Sequence, residues 1–252
     1  MEFSGKIALV TGSSRGIGRA IAIRLARGGA DLIINYFRNQ AGAEDTATAI
    51  RNLGRQAYIV KAHIGDEGKV NKLFEAVREQ AGGLDILVCN AASGYLRPVM
   101  EQRAKGWDWT MNVNARSVLL CAQRAAPLMA ARGGGAIVSL SSVGSTRVQP
   151  NYVAVGVSKA AIESLTRYLA KELAVYNIVV NAVSGGIVQT DALEHFPDKG
   201  EAMLDAVGRR APAGRLLVPD DLAEVVAFLC TPAAYMIRGQ TIIVDGGYSL
   251  VM

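Results

Sequence analysis

Seven short apolar runs alternate with longer helical patterns from one end of the chain to the other, and this alternation restricts the folds available to it. Most of the runs are continuously apolar, as expected of parallel strands buried on both faces. The pattern predicts a doubly wound α/β sheet of seven strands flanked by helices. The predicted strands are Ile7–Thr11, Leu32–Tyr36, Gln56–Lys61, Ile86–Asn90, Ala136–Leu140, Ile178–Val183 and Thr241–Val244, and the predicted helices include Gly16–Arg27, Asp66–Gln80 and Tyr152–Val175.

These elements are expected to form a single domain that spans residues 1–252. No internal repeat, low-complexity tract or change of composition marks a second domain, and the length suffices for one sizeable core. The segment from Gly185 to Pro219 is long and contains no predicted strand. Connections of this length are usually functional, so its position after the sixth strand favours a substrate-binding lid over a surface helical hairpin.

Charge and cysteine content bear on the class of protein. The net charge is +5, but Lys and Arg are spread along the chain without a basic run, so no nucleic-acid partner is predicted. No apolar run approaches the roughly 18–20 residues of a membrane span, and a strand follows the first residues at once, so we expect a cytoplasmic protein without a membrane segment. Three separated cysteines and two isolated histidines predict buried thiols and no metal site.

A glycine-rich loop follows the first predicted strand. It reads Thr11-Gly12-Ser13-Ser14-Arg15-Gly16-Ile17-Gly18. Gly12 permits a sharp turn off the strand, and Gly16 and Gly18 allow close approach of the backbone to a pyrophosphate and of the helix to the sheet. The N–H groups at the start of the helix then point toward that phosphate. Between a strand and a helix, this motif predicts a dinucleotide site in a Rossmann fold.

The end of the second strand bears on the choice of dinucleotide. NAD-binding proteins usually place Asp or Glu there, to accept from the ribose 2′-hydroxyl. Here the strand ends in Asn35-Tyr36-Phe37-Arg38 without a carboxylate, and Arg15 lies in the glycine-rich loop. Two guanidinium groups fit a 2′-phosphate by charge and by forked hydrogen bonding, although they could also be ordinary solvated arginines. The prediction is therefore NADPH.

Tyr152 and Lys159 are the predicted chemical pair. A free tyrosine, with a pKa of about 10, can donate a hydrogen bond or a proton to an oxygen that gains negative charge. An adjacent Lys159 ammonium is expected to lower the pKa of the phenol by favouring the phenolate. Seven residues turn through about 700° on a helix, so the two side chains would share a face.

An ordered set of motifs accompanies this pair: Asn90-Ala91-Ala92, Asn114, Ser141-Ser142 and Asp245-Gly246-Gly247. With the glycine-rich loop they resemble the short-chain dehydrogenase/reductase family across essentially the whole chain. The resemblance implies a homotetrameric enzyme in which Tyr152 is the acid, Lys159 binds the nicotinamide ribose and Asn114 holds a proton-relay water. It also implies cofactor contacts from Gly12, Ser13, Ser14, Arg15, Gly16, Ile17, Gly18, Arg38, His63, Ile64, Asn90, Lys159, Gly186, Ile187 and Thr190.

The spacing of the pair resembles one group within that family. Most members place the tyrosine four residues before the lysine, where this chain has Val155, which has no proton to give. A lysine seven residues after the tyrosine, with the neighbouring sequence, resembles the bacterial enoyl-acyl-carrier-protein reductases, and Asn90–Gly94 and Asn181–Gly186 point to their type III enzymes. This resemblance implies NADPH-dependent reduction of a trans-2-enoyl thioester on acyl carrier protein in fatty-acid elongation.

Substrate contacts and rival functions stay open at this point. Ser141 and Ser142 both fit the usual serine-to-tyrosine spacing poorly, so either could serve the substrate, and Tyr95 and Leu96 line the pocket or merely pack in its loop. Trp109, like Trp107, is predicted to serve packing or subunit contact. The rival functions are a 3-oxoacyl or other ketone reductase and a non-catalytic NADP-binding sensor, which would need no proton donor.

Overall fold

The computed structural model describes residues 1–189 and 208–250, which form one seven-stranded parallel sheet in the order β3-β2-β1-β4-β5-β6-β7. This confirms the predicted doubly wound fold. The strands are β1 Ile7–Val10, β2 Asp31–Tyr36, β3 Ala57–Lys61, β4 Ile86–Cys89, β5 Gly135–Ser142, β6 Ile178–Gly185 and β7 Thr241–Val244. The helices are α1 Gly16–Arg27, α2 Gln40–Asn52, α3 Glu67–Ala81, α4 Ala104–Met111, α5 Ser117–Ala130, α6 Val153–Glu172 and α7 Pro219–Leu229.

Helices cover both faces of the sheet, which explains the continuously apolar strands. In β1, Ala8 and Val10 belong to the core layer shared with α1, α2 and α7, whereas Leu9 belongs to the layer shared with α3, α5 and α6. Successive side chains of a strand point to opposite faces, so every residue of such a strand meets a core. The central strands are therefore buried on both sides, whereas the edge strand β7 leaves Ile243 exposed, and the functional surface lies at the ends of the strands.

Three boundaries differ from the predicted ones in ways that affect the site. β5 and β6 are longer than predicted because they stay paired as far as Ser142 and Gly185. The sixth helix begins at Val153 rather than Tyr152, because Tyr152 has φ of −98° and ψ of 10°, outside the α-helical region, and follows Asn151 in a left-handed conformation with φ of 62°. Tyr152 is the residue that caps this helix, and its carbonyl accepts the first intrahelical bond from Gly156 N at 2.7 Å.

The predicted lid lies mostly outside the described residues, which resume at Gly208 after Gln189. Its first residue, Gly185, is the end of β6 and its last, Pro219, is the start of α7. Within its described part, Val188 pairs with Leu217 in an isolated parallel bridge, and Gln189 N donates to Leu217 O at 2.8 Å. The two ends of the segment are thus joined.

Further expectations concern membranes, metals and thiols. Within residues 1–189 and 208–250, no helix is both long and apolar enough to cross a bilayer. The same part of the chain contains no group of three or more His, Cys, Asp or Glu side chains suited to a metal ion. Cys89 and Cys121 are buried free thiols as predicted, whereas Cys230 is only partly buried.

Candidate cofactor and active site

A cleft of ≈ 920 Å³ opens at the carboxyl ends of the strands, where the strand order reverses between β1 and β4. This switch point is where open α/β sheets bind ligands. The cleft gathers residues from both halves of the sheet. Those predicted from the sequence are Gly12, Ser14, Arg15, Gly16, Ile17, Gly18, Arg38, His63, Ile64, Asn90, Tyr95, Leu96, Tyr152 and Lys159.

The glycine-rich loop forms the floor of this cleft. Gly12 and Gly16 have φ of 65° and 55°, a conformation that side chains with a Cβ rarely adopt. A Cβ at Gly12 would lie 2.9 Å from Ala91 Cβ, and one at Gly18 would overlap the Asn90 amide. Ser13 is buried, and its hydroxyl donates to Val10 O at 2.8 Å, so it supports the loop from below. Gly12 N and Ser13 N both donate to Asn35, so the N–H groups that remain for an anion are those of the first turn of α1, which have no intrahelical partner.

Two asparagines fix the loop. Asn90 donates through its amide to Thr11 O at 2.9 Å and to Gly12 O at 3.1 Å. Asn35 accepts from Gly12 N at 3.2 Å, and its amide donates to Ala62 O at 3.1 Å. This role of Asn35 was not predicted, since the residue stood out in the sequence only as the end of a strand without a carboxylate. A buried asparagine one strand away from a glycine-rich loop was the signal for this bracing role.

Arg15 and Arg38 are both exposed side chains that line the cleft, Arg15 just before α1 and Arg38 just after β2. The Arg38 guanidinium lies over the Phe37 ring, 5.3 Å from its centroid. The residues present fit a dinucleotide phosphate, because a cradle without room for Cβ atoms adjoins two cationic forks. No described carboxylate lines this cleft, in keeping with the composition of the second strand.

Aromatic rings occupy the cleft beside Arg38. His63 follows β3, its ring centroid 4.6 Å from Phe37 and 4.8 Å from Trp109. The buried His63 Nε2 has no hydrogen-bond partner within the described structure. Ile64 is buried next to it. Trp109, predicted only to pack, reaches this cleft from α4.

Tyr152 lies beside Ser142 at the other side of the glycine-rich loop. Its ring runs past Gly144, where an added Cβ would come within 2.6 Å of Tyr152 Cε1. Burial raises the pKa of the Tyr152 phenol, and a hydrogen bond with Ser142 acts in the opposite direction. The expected lowering of this pKa by Lys159 is therefore wrong. A neutral phenol near pH 7 is a hydrogen-bond donor.

Lys159 is buried in the same cleft, and its ammonium donates to Leu140 O at 2.8 Å. Burial lowers its pKa from 10.5 to about 8, because desolvation disfavours the charged form. Val155, one turn before it, packs against Gly94, whose Cα leaves no room for a Cβ there. The position that carries tyrosine in most resembling enzymes is thus filled by an apolar contact.

Asn114 sits on a π-helical turn, Asn112–Arg116, between α4 and α5. Its side chain accepts from Ser93 N at 2.8 Å and donates to Ser158 Oγ at 2.9 Å. The asparagine therefore joins the loop after β4 to the helix that carries Lys159. Such π-turns often occur at functional sites.

Ser141 and Ser142, the last two residues of β5, have different partners. Ser141 Oγ donates to Glu163 Oε1 at 2.6 Å, whereas Ser142 lies next to Tyr152 and accepts from Gly144 N at 3.2 Å. Tyr95, although in the cleft, accepts a long hydrogen bond from Arg103 N at 3.4 Å. The structure thus brings Ser142, and not Ser141, to the phenol.

The remaining predicted cofactor residues lie at the end of β6. Gly186 packs on Asp245 of the Asp-Gly-Gly motif, which a Cβ at Gly186 would approach to 2.9 Å. Asp245 in turn accepts from the backbone N of Gly247 and of Ser249, both at 2.8 Å. Ile187 is partly buried, and Thr190 lies outside the described residues.

Comparison with known proteins identifies the family. The family profile described as Enoyl-(Acyl carrier protein) reductase matches residues 12–249. 1-Cyclohexenylcarbonyl-CoA reductase of Streptomyces collinus is 40% identical over 98% of this chain and 88% of its own length.

Two solved structures have nearly the same fold. A short chain dehydrogenase from Burkholderia cenocepacia in complex with NADP has a TM-score of 0.91 and 37% identity, covering 99% of this chain and 100% of that one. A 7 alpha-hydroxysteroid dehydrogenase complexed with NADH and 7-oxo glycochenodeoxycholic acid has a TM-score of 0.93 and 32% identity, covering 98% and 95%. The chain therefore belongs to the short-chain dehydrogenase/reductase family of oxidoreductases, because the family match spans residues 12–249 and the cleft at the switch point contains Tyr152 and Lys159.

Proposed function

We propose that this oxidoreductase reduces the double bond of a 2-enoyl thioester, with NADPH as the cofactor and acyl carrier protein as the carrier. The observation that supports this most is the pair of positions 152 and 155. The phenol belongs to the residue that caps α6, and the helical position one turn before Lys159 is an apolar residue packed on Gly94. A group that can donate a proton is thus present only at the earlier of the two positions.

The displacement of the phenol matches the geometry of enoyl reduction. NADPH, when bound, supplies the hydride. In a ketone the oxygen is on the carbon that receives it, whereas in an enoyl thioester the oxygen lies two carbons further away. Moving a tyrosine back by three residues shifts it by roughly 4.5 Å along a helix axis, which is of the order of that separation.

Tyr152 would donate a hydrogen bond to the thioester oxygen as it gains enolate character. Burial keeps the phenol neutral, so it holds its proton at neutral pH. Ser142, at the end of β5, forms a hydrogen bond with the phenol, and its hydroxyl also accepts from Gly144 N at 3.2 Å. A fixed donor in a partly buried site stabilises developing charge more than water does.

Lys159 would hold ribose hydroxyls and contribute its positive charge near the phenol. With Leu140 O as its hydrogen-bond partner, two of the three ammonium protons are left for ligands. Asn114 would keep the loop after β4 in register with α6 through Ser93 and Ser158. A proton-relay water held by Asn114, as the family resemblance implies, belongs to this proposal.

NADPH rather than NADH is supported by the two exposed arginines at the cleft and by the lack of a carboxylate after β2. The similar structures include one complexed with NADP and one with NADH, so the family leaves both choices available. The positive charges of Arg15 and Arg38 suit the 2′-phosphate of NADPH, which NADH lacks, and so support NADPH here.

The thioester itself is supported by two comparisons. The matching family is described by an acyl-carrier-protein substrate, and the Streptomyces relative by a coenzyme A thioester whose carbonyl is attached to a ring double bond. Both descriptions share an unsaturated acyl thioester and differ in the carrier. Coenzyme A is therefore the alternative carrier for the same reaction.

The test follows NADPH oxidation with crotonyl and acetoacetyl thioesters, each on acyl carrier protein and on coenzyme A. We expect crotonyl reduction with at least a hundredfold preference over acetoacetyl, because the ketone-reducing position holds Val155. Faster reduction of the acetoacetyl thioesters would overturn the proposal in favour of the ketone reductase. If crotonyl-coenzyme A is reduced more than tenfold faster than crotonyl-acyl carrier protein, the proposed carrier is wrong but the proposed reaction stands.

The segment 185–219 is proposed as a lid over the acyl chain. Its described ends are joined through Val188, Gln189 and Leu217, and connections of this length are usually functional. Amide hydrogen exchange between these ends should slow when NADP⁺ and a crotonyl thioester bind together. Unchanged exchange, with binding verified by calorimetry, would rule out the lid.

A further inference from the structure

The position of Tyr152 is set by the residues before it as well as by the helix that follows. Its backbone angles lie outside the α-helical region, and regular helical geometry begins only at Val153. The spacing between Tyr152 and Lys159 therefore does not by itself determine where the phenol lies. The conformation of the preceding turn completes the placement.

That turn consists of four residues. Tyr152 N donates to Gln149 O at 3.3 Å, which closes a turn over Pro150 and Asn151. Asn151, the third residue of the turn, has φ of 62°. Proline at the second position and a positive φ at the third are features of a type II turn, in which glycine or asparagine is favoured at the third position. The sequence Pro150-Asn151 thus suits the conformation that it adopts.

The side chain of Asn151 makes no contact that explains its presence. It is exposed, and within residues 1–189 and 208–250 it forms no hydrogen bond. Among residues with a Cβ, asparagine is several-fold enriched in the left-handed region because its short polar side chain tolerates it. The residue type at position 151 is therefore explained by the backbone conformation.

The same residue also holds the opposite wall of the cleft. Arg97 N donates to Asn151 O at 2.9 Å. Arg97 directly follows Tyr95 and Leu96, which line the cleft in the loop after β4. A change in the backbone of Asn151 would therefore shift the phenol on one side and this loop on the other.

The phenol ring has little room to compensate for such a shift. A Cβ at Gly144 would come within 2.6 Å of the ring, and one at Gly156 within 3.6 Å. Ser142 forms a hydrogen bond with the phenol. In closely packed surroundings, a side chain whose Cα moves cannot keep all its contacts by rotating. The contact with Ser142 thus depends on the backbone before Tyr152.

We propose that Asn151 is a positioning residue, whose left-handed conformation sets the Tyr152 phenol against Ser142 and fixes the loop after β4 through Arg97. It acts through Tyr152 and not on the substrate. The inference rests on the proposed function, since it explains how a tyrosine outside the regular helix is held where enoyl reduction needs a donor.

Two substitutions of Asn151 that differ in their tolerance of positive φ test the inference. Asn151→Gly leaves the left-handed conformation available, whereas Asn151→Val introduces a β-branched side chain that rarely adopts it. With a crotonyl thioester, we expect kcat of Asn151→Val to fall by at least about tenfold, the change in population that corresponds to left-handed strain. Asn151→Gly should keep kcat within about twofold. NADPH affinity, measured by calorimetry, should be unchanged in both.

Asn177 provides the matched control. It is the other non-glycine residue with positive φ in the described part of the chain, with φ of 56°. It directly precedes β6 and so lies at the edge of the sheet opposite the cleft. Asn177→Val introduces the same backbone strain, so it should lower the free energy of unfolding in urea but leave kcat within about twofold.

A measurement without substrate separates this inference from the proposed function. In protein isotope-labelled at the tyrosine Cζ atoms, the NMR signal of Tyr152 is identified by its loss in Tyr152→Phe. The signal should keep its chemical shift in Asn151→Gly and Asn177→Val and should move in Asn151→Val. Absence of crotonyl reduction by the unmodified enzyme would contradict the proposed function, whereas an unmoved signal in Asn151→Val would contradict the role of Asn151.

Three kinetic outcomes would also overturn the inference. Normal kcat in Asn151→Val would mean that the turn does not place the phenol. Equal losses in Asn151→Gly and Asn151→Val would mean that the amide side chain acts and that the backbone conformation does not. An equal loss in Asn177→Val would mean that kcat reports general destabilisation.

Discussion

The Ser141 hydroxyl donates a hydrogen bond to the Glu163 carboxylate at 2.6 Å, so the first serine of the pair is bound to α6. Ser142, the next residue, lies against Tyr152 instead. Adjacent residues of a strand point to opposite faces, which explains why only one of them reaches the phenol.

Ser142→Ala should lower kcat for crotonyl reduction by about two- to tenfold, the usual range for one neutral hydrogen bond. It should also raise the pKa of Tyr152 further, because the contact that opposes desolvation is removed. Ser141→Ala is the matched control, with kcat within twofold and a small loss of stability. Steady-state rates across pH test both variants, and a larger kcat loss in Ser141→Ala would contradict the assignment.

Arg38→Asp should weaken NADPH binding about ten- to a hundredfold and NADH binding far less, because one charge-assisted contact to the 2′-phosphate is lost. Calorimetric titration with each cofactor measures the effect. Arg27→Asp, an equal change of charge at the exposed end of α1, should leave both affinities nearly unchanged. Equal affinities of the unmodified protein for NADPH and NADH would contradict the choice of cofactor.

Lys159 should make stability depend on pH in a defined direction. Its pKa is about 8 in the folded protein and 10.5 as a free side chain, so the unfolded chain binds this proton more tightly. Burial of the ammonium therefore costs stability below pH 8, up to about 3 kcal/mol, and the cost disappears as pH rises from 8 to 10.5.

Lys159→Met should accordingly have the higher unfolding free energy at pH 7, and its advantage over the unmodified protein should shrink as the pH rises from 8 to 10.5. Urea unfolding at several pH values measures this difference. The exposed Lys171→Met, on the same helix, should show no such trend. A Lys159→Met protein that is less stable at pH 7, or a difference independent of pH, would contradict the prediction.

The fold was predictable because its signals are local. The apolar runs and the glycine-rich loop gave the seven strands and the start of α1 at Gly16 without knowledge of any contact. The ends of β5 and β6 were missed because their last residues, Ser142 and Gly185, are polar or small and are held by pairing with each other. Pairing between distant segments leaves no periodic pattern in either one.

The residues of the site could be predicted only where they belong to a recognisable sequence motif. The Asn35 contact with Gly12 joins residues 23 positions apart, and the Trp109 contact with His63 joins α4, which was not predicted, to the segment after β3. The raised pKa of Tyr152 follows from burial, which depends on the packing of Gly144 against the ring. Such effects arise in the assembled structure and cannot be read from spacing.

The central claim is that the Tyr152 phenol assists reduction of the enoyl double bond, and single-turnover crotonyl reduction by Tyr152→Phe tests it most directly. We expect a rate at least about a hundredfold below that of the unmodified enzyme, as for loss of a general acid, with NADPH affinity unchanged. The exposed Tyr168→Phe on the same helix serves as the matched control and should keep the full rate. A near-normal rate for Tyr152→Phe would contradict the account.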